Sequence, residues 1–156
     1  MGDAMSYAAA RAQIVAALEG ITGLDHPATF GQSLREQRDA RPDDIPHSRA
    51  FTVAAVGGST STREGSAAGR QTLLDVTASI FYREVTDDKL IDEVLISDYV
   101  KIRDTLLEPS NWGRPSSGIV LLSAGGAEAM TFSVEGLEVG RVLDVTFPMT
   151  ISASTS

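Results

Sequence analysis

The chain contains no cysteine. That removes a disulfide framework, a thiolate metal site and a cysteine nucleophile together. Histidine is nearly as scarce, with only His26 and His47. A serine nucleophile needs a base beside it, and these two adjoin Pro27 and Pro46 in stretches that read as surface loop. Neither a Gly-x-Ser-x-Gly elbow nor a glycine-rich loop ending in Gly-Lys-Ser/Thr is present. Asp87-Asp88 and Asp92-Glu93 have no histidine partner and no calcium-loop glycine pattern, so helix capping and a wet helix face account for them. Long apolar runs are missing too. Stretches such as Gly118–Ala124 fall far short of the ~20 residues that a membrane helix needs. No charged-then-apolar leader opens the chain, and the loose myristoylation pattern at Met1–Ser6 is better read as leading to a helix cap at Ser6. These absences leave no foothold for enzymology, for a metal or for a cofactor.

What is present is ordinary for a globular protein. The 156 residues, 42% hydrophobic and 22% charged, fit a single domain over 1–156. A chain of this length buries roughly 70% of the surface it exposes when unfolded, enough for one core. The formal net charge is −8, which argues against partners bound through phosphate neutralisation and against docking on an anionic membrane. Lysine occurs only at Lys89 and Lys101, so most of the positive charge is arginine.

Periodicity places the elements. Ser6 and the alanine-rich run after it start a helix to about Gly20, with Ile14, Leu18 and Ile21 on one side. Leu24–Arg49 is irregular, and Phe30–Gln37 reads as a short strand or extended loop. Arg35, Arg38, Arg41 and Arg49 make this stretch locally basic, either as solvated loop charge or as a subunit–subunit salt-bridge surface. Arg49–Val56 suits a strand. The small polar run Gly57–Gly69 reads as a flexible loop. Leu74, Val76, Ala78, Ile80 and Tyr82 alternate as a strand does. A second helix over Lys89–Leu107 carries Ile91, Leu95, Tyr99, Ile102 and Leu106 on one stripe, and Pro109 blocks its extension. Three strands follow: Ile119–Leu122, the alternating Met130, Phe132 and Val134, and the long alternation Leu143–Ile151. Pro148 in the last of these predicts a free edge or a bulge. The expected fold is α+β: a mainly antiparallel four- to five-stranded sheet, two helices on one face, and a long loop between the first two main strands. Trp112, in a loop, is either a lid on the core or an interface anchor.

This layout resembles the tail terminator (tail completion) family of long-tailed bacteriophages and gene-transfer particles, the lambda-type minor tail proteins. The resemblance rests on the helix Ser6–Gly20 with Arg11 and Ile14, the strand pair flanking a long polar loop, the Arg70–Tyr82 strand leading into the acidic helix Asp88–Leu107, and the closing strand Gly140–Phe147. It covers most of the chain as layout and texture, without a diagnostic motif, and Leu24–Arg49 does not match. It implies a structural, non-enzymatic virion protein at the neck of the tail, assembled in the host cytoplasm. Such a protein forms a homohexameric ring that caps the tail tube, ends its polymerisation and meets the head-completion or connector proteins. DNA passes through the lumen without specific binding. On this reading the loop 57–69 makes ring-to-tube contacts, and Arg63, Glu64, Arg70, Trp112 and Arg114 are the candidate assembly contacts. Another connector or tail-tube subunit, or a small ligand-binding domain or enzyme, are the alternatives.

Overall fold

The computed structural model describes residues 7–36, 48–62, 70–83, 88–108, 119–121, 129–137 and 140–152. In chain order these form helix α1 (Tyr7–Glu19), the single turn α2 (Pro27–Phe30), strands β1 (Arg35–Glu36), β2 (Ala50–Thr62) and β3 (Arg70–Arg83), helix α3 (Asp88–Leu107), and strands β4 (Ile119–Leu121), β5 (Thr131–Leu137) and β6 (Gly140–Ser152). The α+β class and the mainly antiparallel sheet are as expected. The two-residue β1 and three-residue β4 bring the strand count among the described residues to six.

The sheet runs β1-β2-β3-β6, and β6 then pairs with β5 along its first half and β4 along its last residues. Among the described residues only β1 is parallel to its neighbour. Pro148 explains why β6 has two partners on one side. The β5 ladder stops at Thr146 and the β4 ladder begins at Met149, so the residue without an amide hydrogen sits in the gap between them. On its other side Pro148 stays in register with Asp75 of β3.

Period-two alternation puts one face of the ribbon in the core. Val76, Ala78, Ile80 and Tyr82 of β3, and Leu143, Val145, Phe147 and Met149 of β6, are all buried. They join Phe51 and Val53 of β2, the α1 residues Ala10, Ile14, Val15 and Leu18, and the α3 residues Ile91, Val94, Leu95, Tyr99, Ile102 and Leu106 in one cluster. Both long helices therefore lie against the same face of the sheet. Full burial of each large apolar side chain contributes about 1.5–3 kcal/mol. On the opposite face the ladder is joined by hydroxyls instead. Thr77 and Thr146 hydroxyls meet at 2.9 Å, and Ser79 Oγ donates to Asp144 Oδ1 at 2.5 Å. A small satellite cluster of Ala50, Phe81 and Val142 sits at one end of that face.

The expected flexible loop needs correction at its start. Gly57–Thr62 is strand, paired residue by residue from Gly57 opposite Asp75 to Thr62 opposite Arg70. Glycine, serine and threonine carry little to bury, but their backbones still complete a ladder, and composition does not register that. Residues 63–69 of the expected loop lie outside the described residues. A bulge at Val56 separates the two registers of β2. Just past it the backbones close in. A Cβ on Gly58 would lie 2.5 Å from the Leu73 carbonyl oxygen and 2.9 Å from a Leu74 methyl. The Gly58→Ala variant should therefore lose about 1–3 kcal/mol of stability in denaturant unfolding. Gly57→Ala, whose Cβ would meet only an Asp75 carboxylate oxygen at 3.7 Å, should lose little by comparison.

Candidate assembly surface

One buried polar node anchors the irregular connection between α1 and β2. Arg49, directly before β2, is fully buried and adopts a left-handed backbone (φ 66°). A non-glycine residue there costs about 1 kcal/mol or more, so the surroundings must hold it. Its amide donates to the Phe81 carbonyl at 2.6 Å, and its carbonyl accepts from the Arg35 amide at 3.1 Å. The guanidinium forks onto the Asp98 carboxylate of α3, Nε at 2.8 Å and Nη2 at 2.9 Å. Nη1 donates to the Gly31 carbonyl at 2.6 Å, and Nη2 also donates to the Asp25 carbonyl at 2.7 Å. Tyr82 of β3 donates its hydroxyl to Asp98 Oδ2 at 2.8 Å. The Phe30 ring lies 5.8 Å from the guanidinium and edge-on to Tyr82.

Neither reading of the basic stretch survives at Arg49, which is neither solvated loop charge nor an intersubunit contact. Its partners lie in distant parts of the chain, so nothing local in the sequence marks them. Arg35 is exposed, and Arg38 and Arg41 lie outside the described residues. His26 is an exposed residue preceding α2, and His47 lies outside the described residues.

The node holds the Tyr82 phenol well above the ordinary tyrosine value, first by burial and then through the adjacent Asp98 charge. A folded-state pKa above the unfolded one means that stability is complete below about pH 10 and falls as pH rises beyond it. Outside the core, Asp25 is held below its usual value by the Ser97 hydroxyl at 2.6 Å and then by the Lys101 ammonium.

Among the described residues, two edges of the sheet are left open to a partner. Strand β5 is exposed along Thr131–Gly136, and among the described residues it pairs only with β6. The alternating residues Met130, Phe132 and Val134 differ in burial. Met130 is buried, but Phe132 is 43% and Val134 44% exposed. The reason is position. β5 is an outer strand, and Tyr99 of α3 reaches it with its ring 4.3 Å from that of Phe132. Ile96, one turn earlier on α3, is also exposed. The opposite edge is β2. Among the described residues β1 covers only Ala50 and Phe51 there. Arg11 of α1 then caps the Val53 carbonyl with Nε at 2.9 Å, and its Nη2 approaches Glu36 Oε1 at 2.5 Å without hydrogen-bond alignment. Beyond that cap Ala54, Ala55 and Val56 are exposed, Val56 by 64%.

Of the candidate assembly contacts, Arg70 opens β3 with its backbone opposite Thr62, at the far end of the ribbon from the node. Arg63, Glu64, Trp112 and Arg114 lie outside the described residues. The edge residues Phe132, Val134 and Val56 were missed as surface.

No family model matches the chain, and no curated protein matches it. Among the described residues no helix is long and apolar enough to cross a membrane.

Removing one half of the buried pair leaves the other charge uncompensated. Asp98→Asn and Arg49→Met should each cost about 3–5 kcal/mol in denaturant unfolding, and the double variant Arg49→Met/Asp98→Leu should recover part of that loss. In an alkaline titration Tyr82 phenolate absorbance should appear only together with loss of folded circular dichroism.

Proposed function

We propose that this protein is a structural ring subunit of the tail-terminator type, which caps the tail tube of a long-tailed bacterial virus and joins it to the head-completion proteins. The observation that carries the reading is a sheet with two edges on opposite sides left open among the described residues, both bearing exposed apolar side chains at β2 and β5. Open edges of this kind ask for a strand from another chain, and head-to-tail contacts satisfy both edges at once when the rotation closes.

Charge is compatible with a conduit. The sheet face turned away from the helices carries Asp75, Glu135 and Asp144 together with the Thr77, Ser79 and Thr146 hydroxyls, with Arg83 at one end. If that face lines the lumen, like charge keeps DNA from adhering as it passes. Arg49, Asp98 and Tyr82 are buried and engaged with one another, so the node offers no reactive group to solvent.

The test is tube growth with the tail-tube protein of the same virus. Addition of this protein in small molar excess over tube ends should stop elongation and leave a single ring on one end of each tube. Incorporation along the tube or filaments of the protein alone would assign it instead as a tube subunit. No effect on growth would contradict the reading.

A further inference from the structure

We propose that the seam between subunits is a strand addition. The outer edge of β5 in one copy pairs antiparallel with the outer edge of β2 in the next, along Ala54–Thr62. The inference rests on the ring reading for its occupant, a second copy of this chain, and on the sheet for its geometry.

Direction is the first argument. β2 is antiparallel to β3, β3 to β6 and β6 to β5. Three reversals leave β5 running opposite to β2, on the opposite side of the sheet. A like-oriented copy placed beside β5 therefore presents its β2 antiparallel, with its helix layer on the same side. The sheet continues from copy to copy without a change of hand or face.

Level along the strands is the second. Thr131 of β5 lies in line with Thr146, Thr77 and Ala54, whereas Leu137 lies in line with Gly140 and Arg83. Direct sideways addition would thus bring β5 against the end of β2 already occupied by β1 and by Arg11 on Val53. The incoming strand must slide toward the Thr62 end. A stagger in one direction at every seam is what tilted strands require when a sheet closes on itself.

Side chains are the third. Phe132 and Val134 point to the helix side of β5, in register with the core residues Val145 and Leu143. On the facing edge Ala55 and Val56 are exposed beside the bulge. The seam covers apolar surface on both copies. A two-fold β5–β5 pair would instead gather two Glu135 carboxylates at one seam and leave the β2 edge and Val56 uncovered.

The absence of native cysteine makes the test clean. Ser133 and Gly57 are both exposed and lie on the same side of the sheet, away from the helices. Oxidation of a Ser133→Cys/Gly57→Cys chain should give a ladder of covalent oligomers ending at one closed species, while Ser133→Cys alone should stay uncross-linked. Val134→Lys should weaken association on the order of tenfold or more by light scattering, with unchanged circular dichroism and melting. Covalent dimers from Ser133→Cys alone would overturn the proposal in favour of a β5–β5 pair. An oligomer that the double variant fails to cross-link, and that Val134→Lys leaves intact, would overturn this seam yet leave the ring reading standing. A monomer at every concentration would overturn both. The ladder from a protein that does not cap tubes would support the seam and count against the terminator reading.

Discussion

Arg49 reaches five separate parts of the chain from one buried position. Its side chain bonds α3 through Asp98, the end of α2 through Gly31, and the connection after α1 through Asp25, while its backbone bonds β1 and β3. A guanidinium suits this task because its donors project in a fixed plane, two of them matched to a carboxylate. The arrangement tolerates little change. A buried charge without its partner costs several kcal/mol, and the left-handed backbone at Arg49 relies on the same bonds to hold it. Apolar packing supplies most of the stabilisation, but a hydrophobic cluster does not dictate how an irregular segment enters a sheet. The node does, because each bond fixes a direction.

That entry point sets where the sheet can grow. Arg49 fixes β1 beside the first residues of β2, and Arg11 caps the next carbonyl, so one end of the β2 edge is closed. From Ala54 onward it is open among the described residues. At the other side Pro148 divides the partners of β6, leaving β5 as a short outer strand with apolar side chains in water. Closed and open stretches on the two edges are therefore offset along the strand direction. Such an offset favours a staggered, repeating contact over a flat one. The scaffold is tied down by hydrogen bonds where the chain is irregular and unfinished at the strand edges, a division that fits the self-assembly proposed above.

Much of the fold was legible in the amino-acid sequence because long elements repeat their signal. The alternation in β3 and β6, the stripe on α3 and the alanine-rich α1 each state their own periodicity over many residues. Pro148 was read as marking a free edge or a bulge, and it lies instead in the gap between two ladders on one side of a strand that is paired on both. What stayed hidden lacked a local signal. Gly57–Thr62 looks like a linker because backbone pairing leaves no trace in side-chain composition. Arg49 looked like one more loop arginine, since Asp98 lies 49 positions away and only the folded chain brings them together. Phe132 and Val134 alternate as core residues do, and their exposure depends on how far α3 extends over the sheet. The candidate site was the least legible for that reason. An open edge is defined by the neighbour it lacks.

The most direct measurement of the central claim, that the outer edges of β5 and β2 are the working surface, is amide hydrogen exchange across a concentration series. The account predicts that amides in Thr131–Leu137 and Ala54–Thr62 exchange fast when dilute and slow markedly as the protein assembles, while the β3 and β6 ladder is protected throughout. Exchange in both edges that stays equally fast at every concentration, in a protein that nonetheless forms oligomers, would contradict it.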